Sequence, residues 1–145
     1  MFKDVLLPLD LGRMAESVAL FAGAVEIAEA QGARLHVMTV VPDYGMAIVG
    51  SFFPADFEKK AIARGEQELA DFVAGQKGGD TVDQKIIAHG PIYKEIVRVA
   101  KQTKCDLIIM GVGDSDGVGE YLVGHNATQV LRHAPCSVMA IRGVG

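Results

Sequence analysis

Four glycines lie within the nine residues from Gly111 to Gly119, which read GVGDSDGVG. Because glycine has no Cβ, its backbone can adopt a positive φ and approach a ligand closely, so successive N–H groups can surround an anion. The segment follows an apolar run that ends at Met110, and a helical pattern follows the stretch 111–124, with Gly124, His125 and Asn126 near its N-terminal end. We therefore expect a phosphate-binding loop that is completed by the positive N-terminal end of that helix. A flexible surface turn is the alternative interpretation of the same glycines.

A carboxylate, Asp10, ends the apolar run of residues 3–10, which reads KDVLLPLD and predicts a buried strand. At the end of a strand, Asp10 can accept hydrogen bonds from a ribose or from the amine of adenine. The alternative is that it caps the helix that begins near Arg13. Two other phosphate-binding motifs are missing, since no GxxxxGK[ST] is present and no GxGxxG opens the first helix.

Strand and helix patterns alternate along the chain and must position these residues. Strands are predicted at residues 3–10, 34–41, 81–89, 106–110 and 136–141, and helices at 15–30, at 55–76, from 90–91 onwards and after 111–124. Such alternation requires parallel strands joined by right-handed crossovers. The sequence therefore predicts one α/β domain over residues 1–145. It is a doubly wound, Rossmann-like parallel sheet of five strands in the order 3-2-1-4-5, with helices on both faces.

The ligand crevice of a doubly wound sheet lies outside the carboxyl ends of its strands, at the point where the strand order reverses. In the predicted order that point lies between the first and fourth strands. There Pro8 and Asp10, which end the first strand, come close to Met110 and Gly111, which end the fourth. We expect the binding site at this place.

The apolar spacing also predicts which faces of the helices are buried. In the first helix the predicted buried stripe consists of Val18, Phe21, Ala22 and Val25. Glu16 falls outside this stripe. The third helix is predicted to have Pro91 at its first helical position and Ile92 on its buried stripe. The polar residues 83–85 indicate that the third strand is one edge of the sheet.

Composition excludes several classes of function. The chain has 145 residues, of which half are hydrophobic and 22% are charged, and its net charge is −4. This balance argues against nonspecific binding to DNA, RNA or anionic lipid, which need a positive surface. No apolar run approaches the roughly 20 residues that span a membrane, and no signal-peptide pattern opens the sequence. We expect a cytoplasmic protein whose two cysteines, Cys105 and Cys136, are free thiols.

Four segments of the sequence resemble the universal stress protein family. They are VLLPLD at residues 5–10, HGP at 89–91, CDLIIMG at 105–111 and, most specifically, YLVGHNATQVLRHAPCSV at 121–138. The resemblance covers the whole chain. It implies a small regulatory protein of the stress response, which in one branch of the family binds ATP or AMP.

The nucleotide-binding branch carries the motif G-x2-G-x9-G-S/T, which this chain keeps in part. Gly111 and Gly124 match, while Asp114 stands at the middle glycine and His125 at the Ser/Thr position. Gly113 lies one residue early and can replace the missing glycine, and Asn126 still offers an N–H and an amide. The resemblance further implies that the main chain of Val40 holds adenine and that Asp10 lies near the nucleoside. The predicted nucleotide-binding residues are Pro8, Asp10, Val40, Met110, Gly111, Gly113, Asp114, Gly124, His125 and Asn126.

The charge of the glycine-rich stretch opposes a bare phosphate. Between Gly111 and Gly124 the chain has Asp114, Asp116 and Glu120 but no lysine or arginine. A phosphate beside Asp114 is therefore repelled, unless Mg²⁺ held by Asp114 or Asp116 bridges the two. The sequence predicts an adenine-nucleotide binder whose phosphate recognition is weakened or metal-dependent.

The resemblance also implies a homodimer, in which the last strand, 136–142, pairs with its copy in a second subunit. We expect a protein that is not an enzyme. One alternative is a ligand-free dimeric module that binds a protein partner whose identity is unknown. The other is a metal-dependent nucleotide phosphohydrolase built on Asp10, Asp114 and Asp116. Against this alternative, the sequence offers neither a positioned general base nor a lysine or arginine to stabilise a transferring phosphoryl group.

Overall fold

The computed structural model describes residues 1–41, 56–112 and 118–143. Strands and α-helices alternate through these ranges, as the sequence predicts. They are β1 (Asp4–Pro8), α1 (Met14–Gln31), β2 (Arg34–Val41), α2 (Phe57–Ala74), β3 (Val82–His89), α3 (Ile92–Thr103), β4 (Leu107–Val112), α4 (Val118–His133) and β5 (Ser137–Arg142), with a short 3₁₀ helix at Gly79–Thr81.

The strands form one parallel sheet in the order β3-β2-β1-β4-β5. This confirms the predicted order, with β3 and β5 at the two edges. The central strand is β1, where Val5 pairs with Leu35 of β2 on one side and with Leu107 of β4 on the other. Because the chain leaves β1 towards β2 and later returns to place β4 on the opposite side, the strand order reverses between β1 and β4.

The sheet is buried on both faces. Val5 and Leu7 pack with α1 and α2, while Leu6 points to the opposite face and packs with α3 and α4; none of the three is exposed. On the first face the rings of Phe21 and Phe72 meet edge to face, with centroids 5.8 Å apart. This double burial explains why β1 and β4 are continuously apolar rather than alternating.

The buried face of α1 differs from the predicted stripe. Val18 is 41% exposed and Ala22 is also exposed, so both predictions are wrong. The residues that face the sheet are Glu16, Ser17, Leu20, Phe21, Ala24, Val25 and Ala28. The helix is apolar or small on most sides, so the spacing of its apolar residues alone does not fix which side faces the sheet.

The start of α3 also differs from the prediction. Pro91 has φ −63° and ψ 130°, an extended conformation, and it precedes the helix instead of occupying its first position. Ile92 is 40% exposed, so it does not belong to the buried stripe of α3. Its exposed side chain is instead available at the carboxyl end of the sheet.

The two cysteines are free, as predicted. Cys105 is buried, and this burial raises its pKa to about 11. In the parts of the chain that the structure describes, no helix is both long and apolar enough to cross a membrane.

A charged cluster ties β1 to its neighbours at the end of the sheet opposite the predicted crevice. Arg34 donates to both carboxylate oxygens of Asp4, at 2.8 and 3.0 Å, and Nε2 of the buried His36 lies 2.9 Å from Asp4 Oδ1. The backbone N–H groups of Lys3 and Asp4 donate to the carboxylate of Asp106, which joins β1 to β4. The hydrogen bond from Arg34 is the main cause that lowers the pKa of Asp4 below its ordinary value of 3.8.

This lowered pKa predicts how stability depends on pH. Since the folded-state pKa of Asp4 lies below the unfolded value, its stabilising contribution is present above pH 3.8 and disappears as the pH falls through the folded value. We expect Asp4→Asn to lower the free energy of unfolding by about 1 kcal/mol at pH 7, because Arg34 is exposed and water screens the pair. Urea unfolding from pH 7 to pH 2 should show a smaller loss of stability in the variant. As a control, Glu29→Gln on the exposed side of α1 should leave the pH profile unchanged, and an unchanged profile for Asp4→Asn would contradict the role of this cluster.

Candidate functional site

A cavity of about 250 Å³ lies at the carboxyl ends of β1, β2 and β4, where the sequence places the binding site. The predicted residues that line it are Pro8, Asp10, Val40, Met110, Gly111 and Asn126. Apolar side chains of the two helix layers, including Leu20 and Ile96, form much of its remaining wall. The fold therefore brings two distant segments, the ends of β1 and β4, to one crevice, as the strand order requires.

The crevice exists because β1 is shorter than β2. The ladder between them ends at the pair Pro8–Met38, and Leu9 donates its N–H to the carbonyl of Met38 at 2.8 Å. Backbone groups of a strand alternate in direction with a period of two residues, so the carbonyl and N–H of Val40 point to the same side as those of Met38. They face the space beyond the end of β1, where a flat ring with a donor and an acceptor can pair with them.

Asp10 stands at the mouth of this crevice. Its Oδ1 accepts a hydrogen bond from the N–H of Gly12 at 2.9 Å, and its carbonyl accepts from the hydroxyl of the buried Ser17 at 2.7 Å. The residue that precedes α1 is Arg13, and no side chain caps that helix end. The carboxylate of Asp10 thus holds the turn after β1 and remains exposed to a ligand, while the capping role considered for it is not observed.

Gly111 is the point where α1 approaches β4. A Cβ on Gly111 would lie 2.5 Å from Glu16 Oε1 and 2.8 Å from Leu20 Cδ1, so the ends of these two side chains would have to move to admit one. Glycine at this position therefore favours the close packing of α1 on β4, independently of any phosphate. The sequence indicated only a phosphate-binding role for this glycine.

Glu16 lines the same crevice, which the sequence analysis did not predict. It is 8% exposed, and its Oε2 lies 2.9 Å from Nε of Arg13. Glu16 lies four residues before Leu20 and therefore on the same face of α1, and this spacing could have indicated its burial. The predicted buried stripe was rotated away from that face and so left Glu16 outside it.

The glycine-rich half of the predicted site is arranged differently from the expectation. Helix α4 begins at Val118, so Gly124, His125 and Asn126 lie inside it and not at its N-terminal end, where the sequence predicts them. Glycine is tolerated inside a helix at a cost of about 1 kcal/mol, and so Gly124 did not stop it. Backbone N–H groups inside a helix donate to carbonyls one turn earlier, which removes them as donors for a phosphate.

Of these three residues, Asn126 lines the crevice. The ring of His125 instead lies edge to face on Tyr93 of α3, with centroids 6.5 Å apart. Gly113 and Asp114, and the possible magnesium ligand Asp116, lie outside the described residues. Within residues 1–41, 56–112 and 118–143, no group of three His, Cys, Asp or Glu side chains is arranged to hold a metal ion.

Similarity to known proteins extends over nearly the whole chain. The family model described as Universal stress protein family matches residues 1–142. A Thermus aquaticus protein called "Universal stress protein in QAH/OAS sulfhydrylase 3'region" is 32% identical over 145 residues, which are 98% of this chain and 100% of that protein. The structure is similar to that of the universal stress protein UspA from Lactobacillus plantarum, with 28% identity, 97% of both chains covered and a TM-score of 0.64. A universal stress protein solved in complex with cAMP is 19% identical, with 97% of this chain and 96% of that one covered and a TM-score of 0.59, and therefore shares the fold.

The contact at Gly111 can be tested by a pair of glycine substitutions. Gly111→Ala should lower the free energy of unfolding by about 1–3 kcal/mol, because the new methyl group overpacks Glu16 and Leu20. Gly23 lies in the interior of α1 with open space around its would-be Cβ. Gly23→Ala should therefore stabilise the protein by about 0.5–1 kcal/mol. Urea midpoints measure both changes, and a Gly111→Ala midpoint equal to that of the wild type would show that α1 does not contact β4 in this way.

Proposed function

The chain belongs to the universal stress protein family, and on that premise we propose that it binds an adenine nucleotide, ATP or AMP, as a cytoplasmic regulator and not as an enzyme. The observation that carries the proposal is the backbone of Val40 beside Asp10, which has no partner in β1 because the described β1–β2 ladder ends at Pro8 and Met38. Adenine pairs with that backbone, and the ribose hydroxyl groups donate to the carboxylate of Asp10. The relative solved with cAMP supports the proposal, because an adenine nucleotide is bound by that protein on the same fold.

The phosphate half of the proposed site is the weaker half. We assign the phosphate to Gly111, Gly113 and Asp114. Mg²⁺ held by Asp114 or Asp116 would offset the repulsion between their carboxylates and the phosphate. The start of α4 at Val118 supports weak phosphate recognition, because the amides of Gly124 and His125 serve the helix. We therefore propose that Mg²⁺ strengthens the binding of ATP.

A ligand-free dimeric module is the second candidate function. The observation that favours it is the edge strand β5, whose outer side pairs with no other strand among the described residues. An apolar edge strand of this kind is a ready template for a second chain. This function does not require nucleotide, so the two candidates are separated by a binding measurement.

The binding measurement has two parts. The purified protein is denatured and the released nucleotides are identified by anion exchange, and the affinities for ATP and AMP are then measured by calorimetry with and without Mg²⁺. We expect adenylate in the released fraction and an affinity that falls about tenfold in Asp10→Asn, since a hydrogen bond to a charged group is lost. The exposed Asp80 supplies the control Asp80→Asn, which should bind as the wild type does.

Two results would overturn the proposal. If no nucleotide is released and no adenylate produces heat, the ligand-free module is the better function. If inorganic phosphate is produced above background by the wild type and not by Asp10→Asn, the protein is a hydrolase.

The homodimer is also part of the proposal. Two copies of β5 (Ser137–Arg142), with Cys136 before them, would pair across a two-fold axis and continue the sheet through both subunits. Light scattering at micromolar concentration should give twice the mass of one chain. A monomer under those conditions removes both the dimer and the second candidate function.

A further inference from the structure

Glu16 is a buried acid in the crevice to which neither the family motif nor the proposed function gives a role. The carboxylate lies against Gly111, where Oε1 is 2.5 Å from the position that a Cβ would take. It belongs to the floor of the crevice, because Gly111 is the residue at which β4 reaches the ligand space. A charged group at this place acts on any ligand that passes from Asp10 towards the glycine-rich stretch.

The other oxygen of Glu16, Oε2, is buried and has no hydrogen bond within the part of the chain that the structure describes. Arg13 Nε lies 2.9 Å from Oε2, but no N–H is directed at that oxygen with hydrogen-bond geometry. Arg13 therefore offsets part of the charge of Glu16 without satisfying the acceptor. Buried acceptors are almost always hydrogen-bonded, and leaving one unpaired costs free energy. Oε2 itself is closed to solvent, so a hydroxyl or amine donor on a ligand would have to meet the carboxylate at Oε1, the oxygen beside Gly111 in the crevice lining.

The negative charge of the crevice disfavours a phosphate group beside Glu16 and Gly111. The described lining includes two carboxylates, Asp10 and Glu16, and no lysine, arginine or histidine. Arg13 compensates Glu16 from outside this lining. Since like charges repel strongly where water is partly excluded, a polyphosphate at the crevice floor is disfavoured, whereas an uncharged group that carries donors is not.

The size of the crevice agrees with a small ligand. Its volume of about 250 Å³ lies just below the range of roughly 300–1,000 Å³ that is usual for ligand sites. Much of its wall is apolar, as an adenine ring requires, and donors on the ligand have Asp10 and Glu16 as acceptors. The described residues thus match a nucleoside better than they match a triphosphate.

We propose that Glu16 is a specificity determinant that makes this crevice a nucleoside site. Its carboxylate accepts hydrogen bonds from the ribose and keeps phosphate away from Gly111. Without Mg²⁺, the chain then binds adenosine at least as tightly as ATP. This inference rests on the proposed function and adds to it which end of the nucleotide supplies the affinity.

The test is calorimetry with adenosine and ATP in the absence of Mg²⁺. The wild type should bind adenosine with an affinity equal to or higher than that for ATP. Glu16→Gln, which keeps the size of the side chain and removes its charge, should raise the ratio of ATP affinity to adenosine affinity about tenfold. The matched control is Glu26→Gln, an exposed acid on the same helix, which should leave the ratio unchanged.

A double variant separates repulsion by Glu16 from attraction by a released Arg13. In Arg13→Gln/Glu16→Gln the ratio should remain raised, because the repelling carboxylate is still absent. If the ratio returns to the wild-type value, Arg13 is the cause and the proposed role of Glu16 is overturned.

Two further outcomes overturn the inference and are distinct from each other. If wild-type protein binds ATP more than tenfold tighter than adenosine without Mg²⁺, the nucleoside preference is wrong while the proposed function stands. If wild-type protein binds no adenine compound at all, with or without Mg²⁺, the proposed function fails and the inference fails with it. The first comparison uses the wild type alone and does not depend on whether any variant folds.

Discussion

The early end of β1 is the constraint on which the rest of the crevice depends. β1 stops at Pro8, whereas β2 continues to Val41 and β4 to Val112. Among the described residues, a central strand that is shorter than both neighbours leaves backbone groups of β2 without a strand partner on that side. It also leaves a gap between two helix layers, which apolar side chains line. Asp10 and Val40 acquire a possible ligand role because the sheet is incomplete between them.

The close packing of α1 on β4 determines the floor of that gap. Gly111 allows the helix to approach, and the approach brings the Glu16 carboxylate into the crevice together with Leu20. Ser17, one residue further along α1, is tied to the carbonyl of Asp10. Gly111 thus links the side of α1 that faces the sheet to the charge that lines the crevice. From the sequence alone, Gly111 predicts only a phosphate-binding loop.

The two halves of the predicted nucleotide site depend on different kinds of information. The adenosine half consists of strand ends, and the ends of the first and fourth strands follow from apolar runs and from the order of the sheet. Pro8, Asp10 and Met110 line the crevice, and so does Val40, which only the family resemblance indicated. The phosphate half depends on where α4 begins. A helix start is set by a few backbone hydrogen bonds, and glycines near it are compatible with both loop and helix. The sequence therefore predicts Gly124 and His125 near the start of a helix that in fact begins at Val118.

The sequence by itself determined the alternation of strands and helices, the order of the sheet, its edges and the place of the crevice. It could do so because parallel strands buried on both faces must be apolar throughout, and because right-handed crossovers leave few topologies. Only the tertiary structure decided which side of α1 faces the sheet, and with it that Glu16 is buried and Val18 is exposed. A helix that is apolar or small on most sides is oriented by the shape of the surface it packs on, and that surface is formed by residues distant in the chain.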